Sequence, residues 1–375
     1  MMVSGFPSND PELARLYARR DSYNLPSVHV VGRSDGIVPI EDSRALAARF
    51  TNPTLVEHAG GHVVSSESGR DGVRDRVRAF LEERIRERDA ASDPHIDAAR
   101  AGRTIEVPLW SGASSPAMRV VFPHRADVRA PALVIFRGGA YATSRGSGAG
   151  AAAWAAENGM VGIEVPYRCQ ATGDSYPKNY ADAARAVRIA RQRAAEWGID
   201  PERVGLLGFS AGGHLASLLS TQPALYAEPA DDLAARIDAR PNFVILAYPV
   251  ISFVEGYSAG AFVGSAENFF GRRDLDDELR RRFSNELHVK SDHPPVFIWT
   301  TADDALVPAA HSRVFFEACQ RANVPVTFKL FPHGPHGMGL ALDQPGEVGT
   351  WTRQALDWLA RLRQRPPPRA LPVIE

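Results

Sequence analysis

Cysteine is nearly missing from this chain: Cys169 and Cys319 are the two among 375 residues. They show no C-x-x-C spacing, which argues against a cysteine-built zinc site. Two thiols give no disulfide framework either, and both are expected to be reduced. Long apolar runs are also lacking. No window approaches the roughly 20 apolar residues that span a bilayer. Met1 to Asn24 has no basic stretch followed by an apolar one, the pattern of a secretory leader. The expectation is a soluble, cytoplasmic protein that does not engage a membrane. Nor is there an excess of one charge. Lys and Arg number 43 against 44 Asp and Glu, a formal net charge of −1. That balance gives no electrostatic case for nucleic acid or an anionic membrane. Mixed runs such as Glu82-Glu83-Arg84-Ile85-Arg86-Glu87-Arg88 read as solvated helix faces.

What is present is length and alternation. A chain of 375 residues is too long for one small domain. Residues 89–103 are polar and charged and read as a linker. They separate a short α/β segment, residues 1–88, from a large domain over residues 104–365. The proline-rich end, residues 366–375, reads as an irregular tail. In the large domain, apolar runs bounded by turn residues fall at 119–122, 132–136, 161–165, 204–207, 243–247, 296–299 and 326–331. Helical patterns lie between and after them, at 180–197, 211–220, 309–322 and 348–361. Continuous apolar strands alternating with helices predict an α/β fold, a mostly parallel sheet covered on both faces. In such sheets the reacting groups gather at the C-terminal ends of the strands.

Four strand ends carry chemistry. The run Gly205-Leu206-Leu207-Gly208-Phe209-Ser210-Ala211-Gly212-Gly213-His214 holds a G-x-S-x-G motif between an apolar strand and a small-residue helix. That context is what a nucleophile elbow requires, with Ser210 exposed on a strained turn and glycines two residues to either side. The N–H of Ala211 then stands at a helix N-terminus, suited to an oxyanion. Upstream, a strand runs into Arg137-Gly138-Gly139-Ala140-Tyr141, where side-chain-free backbone can point N–H groups into a site. Gly139 and Ala140 are the candidate oxyanion donors beside Ala211. Arg137, Tyr141 and Phe209 are the candidate substrate-binding side chains. A third strand ends in Asp303-Asp304-Ala305-Leu306-Val307-Pro308, where the spacing Asp-x-x-Val-Pro favours Asp304 and leaves Asp303 to support the loop. After the last strand comes His333-Gly334-Pro335-His336-Gly337, with His336 the expected base and His333 its competitor. The order Ser, Asp, His along the chain is the one this fold uses. Serine needs an adjacent base to become nucleophilic, and histidine titrates in the right range to serve. The aspartate holds the imidazole in one tautomer.

These residues carry a resemblance. The stretches Tyr176-Pro177-Lys178-Asn179-Tyr180, Glu196-Trp197-Gly198-Ile199-Asp200-Pro201 and Gly208-Phe209-Ser210-Ala211-Gly212-Gly213-His214 resemble the acetyl-esterase group of α/β-hydrolases, which includes acetylxylan-esterase-like proteins. Thr300-Thr301-Ala302-Asp303-Asp304 and His336-Gly337 fit the same group. The resemblance implies an α/β-hydrolase fold, hydrolysis of short acyl esters, a small-molecule ester substrate and no cofactor or metal. Many relatives carry His-Gly-Gly-Gly where this chain has Arg137 and Ala140 at the first and last places. Alternatives are a peptidase or amidase with the same three residues, and a scaffold that kept the fold without activity.

Residues 1–88 resemble the C-terminal third of another α/β-hydrolase group, the small serine hydrolases. Asp35-Gly36-Ile37-Val38-Pro39 repeats the Asp-x-x-Val-Pro spacing, and His62 follows a short strand at 54–56; Asp35 and His62 match that group's acid and base. No serine elbow precedes them. Two or three strands cannot bury both faces of a sheet alone, so this segment is expected to serve as a cap or a homodimer element. The insertion at residues 251–287, with Phe253, Tyr257, Phe262, Phe269 and Phe270, reads as a lid or pocket wall.

Overall fold

A computed structural model of the chain describes residues 2–3, 28–33, 40–48, 53–58, 102–111, 115–124, 129–226, 233–254, 264–344 and 346–363. Asp35, His62, Tyr257, Phe262, the linker up to residue 101, the helical pattern expected over 71–86 and the tail lie outside these residues. The chain divides into two compact units, Met1–Ser92 and Asp93–Glu375. The first holds three parallel strands in the order β1 (Met2–Val3), β2 (Val28–Gly32), β3 (Thr54–His58), with helix α1 (Ile40–Ala47) between the second and third.

The second unit is built on an eight-stranded sheet. Its strands are β4 (Thr104–Pro108), β5 (Ala117–Val121), β6 (Ala130–Phe136), β7 (Val161–Glu164), β8 (Ile199–Phe209), β9 (Phe243–Ala247), β10 (Val296–Thr301) and β11 (Val326–Phe331). The spatial order is β11-β10-β9-β8-β6-β7-β5-β4. Strands β6 to β11 pair in parallel, and β5 is reversed, pairing antiparallel with both β7 and β4. The apolar pattern predicts no strand at β4. Its side chains are mostly half-buried or exposed at the sheet edge, so the continuous apolar signal of a covered strand is absent there.

The central strands show why the sheet needs cover on both sides. All seven residues of β6 are buried, and successive side chains point to opposite faces. Val134, Phe136, Leu206, Val244, Leu246, Val296 and Ile298 enter one apolar cluster. Leu133, Ile135, Leu207, Ile245, Phe297 and Trp299 enter the other. Helices α3 (Lys178–Gln192) and α5 (Ala211–Thr221) cover the first face; α2 (Ala151–Glu157) and α9 (Trp351–Arg363) cover the second. The remaining helices among the described residues of this unit are α4 (Ala194–Trp197), α6 (Gly264–Phe270), α7 (Asp277–Arg282) and α8 (Ala310–Arg321). No helix among the described residues is long and apolar enough to cross a membrane.

Candidate active site

Ser210 ends β8 and starts α5 with φ 54° and ψ −120°, a region L residues enter only when their surroundings force it. The forcing groups are named by the glycines. A Cβ on Gly208 would stand 2.3 Å from Gly212 O, and one on Gly212 would stand 2.1 Å from Phe136 O. Both contacts are with backbone, so no side chain can yield. The turn is fastened by Ser210 N donating to Ala247 O at 3.0 Å and by Ser210 O accepting from Gly213 N and Val250 N at 2.9 and 3.0 Å.

Three distant loops meet at this serine. Ser210 Oγ lies 2.8 Å from His336 Nε2, and His336 Nδ1 lies 2.7 Å from Asp304 Oδ2. Asp304 Oδ1 accepts from Leu306 N and Val307 N, each at 2.9 Å. With Nδ1–H given to the carboxylate, Nε2 is left to accept from the hydroxyl. Tyr248 packs edge-on against the imidazole with centroids 4.9 Å apart. Its hydroxyl accepts from Gly339 N at 2.7 Å, which anchors the loop beyond His336. The competing pair stands outside. His333 Nδ1 and Gly334 N reach Asp303 at 3.1 and 2.9 Å, and this pair is exposed. The backbone bond from Gly334, then the side-chain bond from His333, holds the Asp303 carboxyl below its usual range. Asp303 thus fastens the histidine loop, together with Thr301 Oγ1 donating to Gly334 O at 2.7 Å.

The glycine-pair loop lies against the serine: a Cβ on Gly138 would be 3.1 Å from Ser210 Cβ. Gly138 O accepts from Gly146 N at 2.9 Å, and Gly139 O accepts from Ala142 N and Thr143 N at 3.0 and 3.1 Å. In a trans peptide the N–H points opposite its carbonyl. The N–H groups of Gly139 and Ala140 therefore face away from the loop's own bonds. Ala211 N opens α5, where no intrahelical acceptor exists.

Three expected substrate contacts are corrected. Tyr141 and Phe209 are fully buried and Arg137 is nearly so. Arg137 spends its guanidinium on the carbonyls of Arg145 and Gly146, at 2.7 Å each, and on Glu164. Phe209 packs on Tyr248 and Trp351. Tyr141 Oη lies 2.8 Å from His214 Nδ1, and burial raises its phenol well above the ordinary range. These side chains hold the site's frame, and Tyr141 and Phe209 offer no surface to a ligand. Neighbourhood in sequence suggested contact; the pleat and the turn aim the groups inward.

The insertion is also a frame. Phe253, Phe269, Phe270 and Phe283 form a ring cluster with Tyr176. Buried His214, whose ring stacks on Phe253 at 4.0 Å, reaches Phe283 O through Nε2 at 2.9 Å. That carbonyl can only accept, so Nε2 carries the proton and Nδ1 accepts from Tyr141. Burial lowers the pKa of this imidazole to about 3. Among the described residues no cluster of His, Cys, Asp and Glu has the makings of a metal site.

The profile of the BD-FAE family matches residues 118–319, more than half of the chain. The chain belongs to the BD-FAE family. The BD-FAE stretch contains Gly139, Ala140, Ser210, Ala211 and Asp304, and His336 follows its end. The chain is 33% identical over 225 residues to an acetylxylan esterase of Xylanibacter ruminicola, covering 59% of this chain and 42% of that protein. It is 32% identical over 226 residues to endo-1,4-beta-xylanase B of Butyrivibrio fibrisolvens, covering 59% and 34%. The chain thus spans about a third to two fifths of these curated relatives. A solved structure of an acetyl ester-xyloside bifunctional hydrolase from Caldicellulosiruptor lactoaceticus is 32% identical with a TM-score of 0.63, covering 70% of this chain and 98% of that one. The BD-FAE domain here has the α/β-hydrolase fold. Residues 1–70 match a second profile, Serine hydrolase (FSH1), in line with the resemblance read from that segment.

Proposed function

We propose that the chain is a serine carboxylic-ester hydrolase acting on short acyl esters, acetyl above all, with carbohydrate as the alcohol. The observation that carries this is the unbroken bond path from Ser210 Oγ through His336 to Asp304, at 2.8 and 2.7 Å, on a serine held at φ 54°. Similarity to an acetylxylan esterase and to an acetyl ester-xyloside hydrolase supports the acyl group and the sugar.

In this reading Ser210 Oγ attacks the ester carbonyl while His336 Nε2 takes its proton. Asp304 keeps the imidazole in the accepting tautomer and stabilises the imidazolium. The N–H groups of Gly139, Ala140 and Ala211 meet the negative oxygen of the tetrahedral intermediate. His336 then protonates the leaving alkoxide, and an acyl-enzyme remains on Ser210. Water, deprotonated by the same nitrogen, releases the carboxylic acid and returns the proton to Ser210.

The test is hydrolysis of p-nitrophenyl esters of increasing acyl length by the wild type and by Ser210→Ala. Turnover greatest for acetate and abolished in the variant is expected. Turnover that survives in Ser210→Ala would move the chemistry to another residue and refute the proposal.

A further inference from the structure

Ala140 and Tyr141 both sit at positive φ, 52° and 57°, where an L side chain crowds its own backbone. Two such residues in succession persist only where the surroundings over-determine them. The groups that do so come from beyond the loop. Asn268, in helix α6 of the insertion, donates from Nδ2 to Ala140 O at 3.0 Å. The backbone carbonyl of Asn268 accepts from Gln170 Nε2 at 2.9 Å, and the backbone N–H of Gln170 holds Tyr141 O at 3.0 Å. The next residue of α6, Phe269, lays its ring edge-on to Tyr141 at 4.9 Å. Tyr141 in turn donates to His214, whose other nitrogen is tied to Phe283 of the same insertion. The two strained residues are thus the two that the insertion grips, one by its carbonyl and one by its ring.

We infer that Asn268 is a positioning residue for the oxyanion donors, its side-chain amide holding Ala140 in the left-handed conformation that aims the Gly139 and Ala140 N–H groups. The insertion is then more than a wall: it sets the electrostatics of the step. This rests on the esterase reading above. Asn268 touches no reacting atom and works through the loop. Release of Ala140 O frees the Ala140–Tyr141 peptide, so Ala140 can leave the left-handed region and carry with it the preceding peptide, which bears the Ala140 N–H; a donor displaced by a fraction of an ångström loses much of its worth in the transition state.

The test uses the full chain with p-nitrophenyl acetate and a trifluoromethyl ketone, whose adduct with serine carries an oxyanion. Asn268→Asp keeps the shape and removes the donor. It is expected to lower kcat about tenfold, leave KM within about twofold, and weaken the ketone by the same factor as kcat. Asn268→Ala should follow it, and serves if the aspartate variant does not fold. Adding Ala140→Gly to either should recover most of the loss, since glycine enters φ > 0 without strain. Wild-type kcat in Asn268→Asp, a change confined to KM, or a loss that Ala140→Gly does not repair would each overturn the inference. If the wild type cleaves no ester while folded, the esterase reading falls first, and this inference falls with it; if it does cleave, the variants judge the inference alone.

Discussion

Asp304→Asn probes the site most sharply, because the structure dictates which way the amide must turn. Asp304 Oδ1 takes two backbone N–H groups, from Leu306 and Val307, while Oδ2 faces His336 Nδ1. An asparagine keeps both backbone bonds only by placing its carbonyl oxygen at the Oδ1 position. Its NH2 then points at Nδ1, which must accept, and the imidazole proton moves to Nε2, against Ser210. That tautomer cannot act as base. Turning the amide over restores the tautomer but faces an NH2 toward two N–H donors and strands them. Each buried unsatisfied donor costs about 1–3 kcal/mol, so the productive orientation lies roughly 2–6 kcal/mol higher. At 1.36 kcal/mol per tenfold, kcat should fall by about 30-fold to about 2 × 10⁴-fold, with little change in thermal stability. Asp303→Asn is the control, since Asp303 bonds His333 and Gly334 in the exposed outer pair; it should cost less than about threefold on the scale of surface pairs. The assay is p-nitrophenyl acetate hydrolysis beside a melting curve. A folded Asp304→Asn enzyme that keeps a tenth of wild-type kcat would refute the tautomer argument, and so would a larger loss from Asp303→Asn.

Three further outcomes are expected. Burial lowers His214 to about 3 and His293 to about 4, against 6.5 for a free imidazole. The unfolded chain therefore binds protons more tightly, and stability present above pH 6.5 is lost as pH falls below it; two protons give a slope near pH 5 of about 2.7 kcal/mol per unit in urea unfolding, and a flat profile from pH 7 to 5 would contradict the burial. Gly212→Ala forces a Cβ to 2.1 Å from Phe136 O and should cost about 3 kcal/mol or prevent folding, read as a shift in the urea midpoint; an unchanged midpoint would rule out the close approach. Light scattering on the full chain tests the homodimer expected from the short three-stranded sheet of residues 1–88; a monomeric mass at micromolar concentration would remove that expectation.

Sequence by itself determined the local grammar of this protein. The central strands of the large unit are legible because strands covered on both faces must be apolar throughout. The elbow is legible because backbone contacts at Gly208 and Gly212 admit no side chain. The β4 edge was not, since half-exposed residues carry no such demand. At the site, spacing named Ser210, Asp304 and His336, yet it left Asp303 and His333 as rivals. Folding alone decided which aspartate meets which histidine, because a bond between residues 126 apart, as for Ser210 and His336, depends on strand order and loop direction. The same limit explains Arg137, Tyr141 and Phe209. Their place beside the motifs was visible, but whether a side chain faces substrate or core is set by the elements that later cover it. Asn268 carried no signal, since its meaning is one hydrogen bond to Ala140 across 128 residues. Local sterics and apolar pattern act within a few residues and can be read along the chain; partners chosen across the sheet exist only after it has assembled.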